Sequence, residues 1–345
     1  MTGLKVRLTH AMRPFRDAST TSRALIAAGV VIVLFFTLMA TFGPQLYEFT
    51  GTQYRVEVSE GEYESLPRLE EPSDEHPFGT TRDSYDVLAR IIGGSRMALQ
   101  VMVVAITLGM IIGVPLGLIS GYRGGPIDRV MVMVMDAVYA FPTLVLAILI
   151  SFVLSAYLER GIASAAAAVG LVYIPQYFRV VRNHTLSVKQ EPFVEAARSL
   201  GAPQRTILGR YVFFNVVQSV PVILTLNAAD AILTLASLGF LGYGVQPPTP
   251  EWGYDISQAV SDVSAGIWWT AFWPGVAIIL LVTGLTLVGE GLNDVINPLL
   301  RARGMSGARI GAEEGGPEPS SEPAADGTDH GPPGTGEVGS EEPPP

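Results

Sequence analysis

Two acidic residues inside long apolar stretches are the first candidates for chemistry. Asp136 and Asp230 each interrupt a run of hydrophobic residues long enough to cross a membrane. A charged side chain at the centre of a bilayer costs about 3 kcal/mol or more, so it usually faces a water-filled cavity or pairs with another group. Asp136 and Asp230 are therefore candidates either for a polar path through the molecule or for a structural pair.

Other kinds of reactive site lack the residues that they need. The chain has no cysteine, and its four histidines are scattered with no HExxH spacing, which excludes the common zinc sites. Neither Lys5 nor Lys189 follows a glycine, so no phosphate-binding P-loop is present, and no Gly-x-Ser-x-Gly sequence occurs. The sequence predicts no catalytic, metal or cofactor site, and we expect no enzymatic activity.

Hydropathy indicates an all-α membrane protein with six transmembrane helices. A helix that crosses a hydrocarbon core about 30 Å thick needs about 20 residues. Six segments meet this requirement, and the third and fifth contain the two acidic residues. They are residues 23–43, 97–121, 130–157, 161–180, 211–243 and 269–290.

The distribution of charge predicts the orientation of these helices. The N-terminal arm, residues 1–22, is basic, whereas residues 44–95 hold eleven acidic and four basic side chains. Because basic segments stay in the cytoplasm, we expect the arm inside and the acidic loop outside, and each later connection agrees with this choice. Both termini are then cytoplasmic. Residues 304–345, rich in Gly, Pro, Ser and acidic residues, are predicted to be a disordered tail.

An amphipathic helix is predicted at the end of the acidic loop. Apolar residues recur at helical spacing in residues 87–92, with Asp86 and Arg90 on the opposite face. We expect this helix to lie at the outer membrane interface and to lead into the second span.

Glycines recur every fourth residue in the second span. They are Gly109, Gly113, Gly117 and Gly121. Such a smooth stripe allows two helices to approach closely. The stripe could pack within its own bundle or form a contact between subunits.

A charged segment, residues 191–214, separates the fourth and fifth spans. Pro192 suits a first helical turn, and Gly201 suits the residue that follows a helix end, where a positive φ is usual. One apolar face is predicted, formed by Phe193, Ala196, Ala197 and Leu200. That face could dock in a groove of a partner protein, or it could cover the chain's own bundle.

The same segment resembles the EAA loop of ATP-binding-cassette (ABC) importer permeases. Glu195, Ala196 and Ala197 are followed after three residues by Gly201, which matches the first half of that motif, whereas residues 211–214 read YVFF in place of its I-x-L-P. Further stretches are similar to the second permease of dipeptide, oligopeptide and nickel importers. These are the matches at His76, Pro77, Gly79, Thr80, Asp86, Arg90, Gly94 and Arg96, and residues 125–130, 141–148, 237–253 and 273–301.

The resemblance implies a type I importer permease with a core in residues 96–293. In that family a second homologous permease completes the translocation path, two ATPase subunits bind the cytoplasmic face, and an extracytoplasmic solute-binding protein delivers the solute. The expected contacts with the ATPase are Glu195, Ala196, Ala197, Leu200 and Gly201. ATP-driven movement would reach the bundle through this loop. The implied location is the plasma or inner membrane.

Two alternatives to an importer permease remain at this point. A self-contained proton-coupled carrier or channel would require Asp136 or Asp230 to titrate, although the hydropathy pattern shows no inverted repeat. A membrane scaffold without transport is disfavoured by the same two carboxylates. The family leaves dipeptides, oligopeptides, nickel and some sugars as possible solutes.

Overall fold

The computed structural model describes residues 19–52, 55–59, 62–158 and 161–296. These residues belong to one unit, Met1–Pro298. Most of the basic arm and the whole acidic tail lie outside the described residues. The helices are α1 (Thr20–Leu46), α2 (Val87–Arg123), α3 (Gly125–Tyr139), α4 (Thr143–Leu154), α5 (Ile162–Val188), α6 (Pro192–Ser199), α7 (Gln204–Thr206), α8 (Phe213–Val216), α9 (Val220–Phe240), α10 (Trp252–Ser264) and α11 (Trp269–Ile296).

The architecture confirms a nearly all-helical membrane bundle. Among the described residues, five helices are long and apolar enough to span a membrane, and the pair α3 and α4 provides a sixth span if it is counted as one. The exception to the all-α prediction is a small antiparallel hairpin in the acidic loop, formed by β1 (Arg55–Ser59) and β2 (Glu62–Ser65).

The third span, predicted over residues 130–157, is bent. Helices α3 and α4 meet at an angle of 94°. Pro142 lies between them in a non-helical conformation, with ψ of 128°. Proline has no N–H to donate and disfavours helical geometry in the residue before it, so α3 ends at Tyr139 and α4 starts in a new direction at Thr143.

The amphipathic helix predicted over residues 87–92 is the first part of the second span. Residues 87–123 form one continuous helix of 37 residues. Asp86 caps its first turn by accepting a hydrogen bond from the Ala89 N–H at 2.7 Å. Asp86 and Arg90 are fully or almost fully buried, because both find polar partners within the fold, so this polar face does not lie against a membrane surface.

The fifth span also begins later than predicted. Residues 207–212 form a wide π-helical turn and residues 217–219 a 3₁₀ turn, and the regular helix α9 starts only at Val220. Pro221 stands at the beginning of α9, where the missing N–H is not needed. Phe213 packs on the bundle, whereas Phe214 is 61% exposed.

The glycine stripe of α2 packs against α5 of the same chain. A Cβ atom at Gly113 would lie 2.8 Å from the Ile174 carbonyl oxygen, and one at Gly117 would lie 2.5 Å from that of Phe178. Gly109 and Gly121 meet α5 at Tyr177 and Arg182 in the same way. The stripe therefore joins two helices inside the bundle.

Candidate functional site

Helix α6 is fixed to the bundle by one face and exposes the other. Val194 and Ala197 are buried in an apolar cluster with Val114 and Leu118 of α2 and Val181 of α5. In the structure, the apolar face of four residues predicted from the sequence therefore does not include Ala197, which is buried. Ala197 lies at the edge of the predicted apolar face and points into the bundle beside Val194, three residues earlier.

The outward face of α6 consists of Phe193, Ala196 and Leu200. All three are exposed, and Leu200 is 87% exposed. Glu195 and Gly201 are exposed on the same segment. An apolar side chain this exposed at the end of a short, anchored helix is available to a partner.

Gly201 ends α6 with the positive φ expected from the sequence. Its φ is +77°. The Gly201 N–H donates to the Arg198 carbonyl at 3.0 Å, and the Ala202 N–H donates to the Ala197 carbonyl at 3.1 Å. These two bonds form a Schellman cap, which satisfies the last carbonyls of the helix and reverses the chain.

The neighbouring ends of α2, α3 and α5 are joined by charged side chains. Arg182 donates two hydrogen bonds to Asp128, from Nε at 2.6 Å and from Nη2 at 2.7 Å. Lys189, just before α6, donates to the Gly121 carbonyl at 2.8 Å. The segment that carries α6 is thus tied to two membrane helices.

A polar cavity of about 450 Å³ lies at the bend between α3 and α4. Its lining includes Tyr139, Thr143, Tyr173, Gln176 and Asp230. Its volume is within the range of small-molecule sites. The bend therefore opens a polar space beside one of the two acidic residues found in the sequence.

The two predicted carboxylates are not paired with each other. Asp136 forms an ion pair with Arg179, whose Nη2 is 2.7 Å from Oδ1. Arg179 also lies 3.9 Å from the centre of the Tyr139 ring. Asp230 accepts a hydrogen bond from the Tyr173 hydroxyl at 2.8 Å.

Sequence reasoning missed three of the residues around these carboxylates. Tyr173, Gln176 and Arg179 recur every third residue on α5. This polar spacing in an otherwise apolar helix was a signal that could have identified them. The partners of Tyr173 and Arg179, Asp230 on α9 and Asp136 on α3, could not be read from that spacing.

A second polar cluster joins the start of α2 to α10. Arg90 and Asp255 form a buried ion pair, with Nη2 and Oδ1 2.6 Å apart. Glu251 is also buried and accepts hydrogen bonds from the N–H groups of Gly253 at 2.9 Å and Tyr254 at 2.7 Å. Burial raises the pKa of Glu251 to about 8. No group of three His, Cys, Asp or Glu side chains in the described part of the chain could hold a metal ion.

Comparison with known proteins gives consistent results. Residues 113–302 match the family described as binding-protein-dependent transport system inner membrane component. The dipeptide transport system permease protein DppC of Alkalihalophilus pseudofirmus is 35% identical over 294 residues, which cover 85% of this chain and 92% of the relative. The glutathione transport system permease protein GsiD of Pectobacterium atrosepticum is 35% identical over 278 residues, covering 80% and 87%.

The fold has a counterpart among solved structures. A chain of the MetNI methionine ABC transporter in inward-facing conformations superposes with a TM-score of 0.50 at 18% sequence identity. The match covers 60% of this chain and 96% of that one. The two chains therefore share a fold over almost the whole length of that chain.

Proposed function

Because the chain belongs to the family of binding-protein-dependent transport system inner membrane components, we propose that α6 is its docking element for an ATPase partner. The chain is a permease subunit of an ABC importer of the peptide family. Proteins of this family are transport subunits and are not themselves catalytic. The observation that supports this docking role is that α6 has one face packed on the bundle and one exposed apolar face.

The geometry of α6 suits the transmission of force. Val194 and Ala197 pack on α2 and α5, and Lys189 ties the preceding turn to α2. A push on Phe193, Ala196 or Leu200 would move these helices together, since closely packed helices shift as rigid elements. Glu195 and Gly201 complete the proposed contact surface.

The remaining components of the importer follow from family membership. We propose a second homologous permease, two ATPase subunits and an extracytoplasmic binding protein as partners, in the plasma or inner membrane. We propose that both termini, α6 and the acidic tail lie on the cytoplasmic side, because basic residues flank them in the sequence.

Short peptides are the proposed solutes. The relatives named for dipeptide and for glutathione transport match most of this chain at 35% identity. Dipeptides and glutathione share a free ammonium group, at least one amide bond and a carboxylate. A solute with these groups would need polar contacts along its path, and Asp136 and Asp230 are the acidic groups proposed to line or support that path.

The docking role is tested by two neighbouring alanines that face opposite ways. Ala196→Asp places a charge on the exposed face, and it should lower ATP-driven dipeptide uptake about tenfold or more in the reconstituted importer while leaving the fold intact. Ala197→Asp buries an unpaired charge and should cost about 3 kcal/mol or more of stability. Uptake, co-purification of the ATPase and thermal unfolding in detergent measure these effects.

Ala196→Ser is the matched control, because it keeps a small neutral side chain at the same position. It should retain uptake and ATPase binding. Normal uptake and normal ATPase co-purification by Ala196→Asp would show that this face does not dock an ATPase.

A further inference from the structure

The cavity at the bend of the third span contains one carboxylate with no counter-charge. Asp230 lies midway along α9, and its side chain is exposed to the cavity of about 450 Å³. No ion pair joins it to a basic residue of the described chain. Asp136, by contrast, is neutralised by Arg179. Of these two acidic residues, Asp230 is therefore the one that can still bind a cation.

The hydrogen bonds around Asp230 hold its carboxylate in one orientation. The Tyr173 hydroxyl donates to Oδ2 at 2.8 Å, and the same hydroxyl is 2.9 Å from Thr234 Oγ1, one turn further along α9. Tyr173 is almost fully buried and cannot easily turn away. Oδ1 of Asp230 has no hydrogen-bond partner among the described residues, so it remains available to a ligand.

The other groups of the cavity suit a positively charged ligand. The Gln176 amide lines the same space and makes no hydrogen bond within the described chain, so its oxygen is free to accept one. The Tyr139 ring also lines the cavity, but one of its faces is already occupied by the Arg179 guanidinium. A carboxylate without a counter-charge attracts a cation, and the attraction grows as the two charges approach.

We propose that Asp230 binds the ammonium group of the transported peptide at this bend, with Tyr173 as the positioning residue. The Gln176 amide oxygen completes the subsite. This proposal rests on the proposed function for the identity of the solute, but the attraction of a cation to the cavity can be measured without transport. The ammonium group could be the peptide's N-terminus or a lysine side chain.

The absence of cysteine allows the cavity to be probed directly. A single Thr143→Cys substitution places a thiol on the cavity wall, at an exposed position. The full-length protein in membrane vesicles is treated with a methanethiosulfonate reagent that bears either a trimethylammonium or a sulfonate group. The rate at which each reagent modifies the protein is divided by its rate with a small free thiol in solution. The cationic reagent should react faster by about tenfold or more.

Variants of Asp230 then test whether its negative charge causes the preference for the cationic reagent. Asp230→Asn, or Asp230→Ser as a second neutral variant if the first does not insert, should abolish the preference for the cationic reagent. Asp230→Glu should restore it, and Tyr173→Phe, which removes a hydroxyl but no charge, should keep it. Equal rates with Asp230 present, or a preference that survives in the neutral variants, would overturn the proposal.

Transport by the complete importer identifies the group that is bound. Asp230→Asn should lower uptake of Ala-Ala about tenfold and leave uptake of N-acetyl-Ala-Ala unchanged, with the same binding protein in both assays. Uptake of N-acetyl-Ala-Lys should fall only if a side-chain ammonium is bound. An equal loss for all three peptides would assign Asp230 a purely structural role and overturn the proposal.

Failure of the proposed function gives a different pattern. An importer with intact Asp230 that transports none of these peptides would contradict a peptide solute. The cation preference at Thr143→Cys would then still decide whether the cavity attracts a cation.

Discussion

Glu251 shows how burial changes a single ionisable group. Its carboxylate caps α10 and fills the space beside Gly239, where a Cβ atom would overlap it. Burial is the largest influence on its pKa, and the neighbouring Asp255 raises the pKa further, whereas its two backbone hydrogen bonds lower it. The result is a carboxyl group that stays protonated in the folded protein up to a pH of about 8.

The raised pKa of Glu251 predicts that stability falls as pH increases. In the unfolded chain Glu251 ionises near its ordinary pKa of 4.5, while in the folded chain it ionises near 8. Between these values the folded state binds more protons, so each pH unit lowers the free energy of unfolding by up to about 1.4 kcal/mol. Glu251→Gln should flatten this slope between pH 5 and 8 in unfolding measurements on the detergent-solubilised protein.

Glu195→Gln is the control for this measurement, because Glu195 is exposed. It should leave the slope of stability against pH as it is in the unmodified protein. If Glu251→Gln and the unmodified protein keep parallel slopes, the buried carboxyl group is not the source of the pH dependence.

At the scale of elements, the contact between α2 and α5 depends on the absence of side chains. A methyl group at Gly117 would lie 2.5 Å from the Phe178 carbonyl oxygen and 3.1 Å from the Arg182 nitrogen. These are backbone atoms of a regular helix, so they cannot yield as a flexible side chain would. The whole of α5 would have to move away from α2.

Gly117→Ala should therefore destabilise the bundle by about 1–3 kcal/mol. Gly275→Ala is the matched control, since Gly275 lies in α11 with no atom within 4 Å of the added methyl group. At that position the better helix propensity of alanine should leave stability unchanged or raise it by up to about 1 kcal/mol. Thermal unfolding of the two variants in detergent compares them. Equal stability would mean that α2 and α5 do not approach this closely.

At the scale of the whole molecule, the charge pattern predicts that α6 is cytoplasmic and that α10, in a segment without Lys or Arg, lies on the opposite side of the membrane. The cysteine-free chain permits a direct test with single-cysteine variants. Ser261→Cys, exposed on α10, should react with a membrane-impermeant maleimide in intact cells. Leu200→Cys, exposed at the end of α6, should react only after the membrane is opened. Labelling of Leu200→Cys in intact cells would reverse the proposed orientation.

The bend in the third span shows how one residue affects the arrangement of the whole molecule. Pro142 redirects the helix, and the redirected helix leaves space beside Asp230. Helix α3 carries no buried residue, and its exposed apolar side chains, among them Val130 and Met133, are available to a second permease. The proposed path would then lie between two subunits, with the polar cavity on the side contributed by this chain.

The sequence by itself determined the features that depend on local chemistry. Hydropathy is averaged over neighbouring residues, so the positions of the spanning helices were predicted well, and the helix ending at Gly201 follows from the positive φ that glycine tolerates. The glycine stripe was also visible as a repeat of four. The family resemblance rested on such local motifs, and the family match confirmed it.

Only the tertiary structure decided which polar groups meet. Tyr173 and Asp230 are 57 residues apart in the chain, and Arg90 and Asp255 are 165 apart. The inward turn of Ala197 and the burial of Arg90 depend on the surfaces packed against them. Spacing along one helix shows which residues share a face, but the neighbour of that face is set by the packing of distant segments.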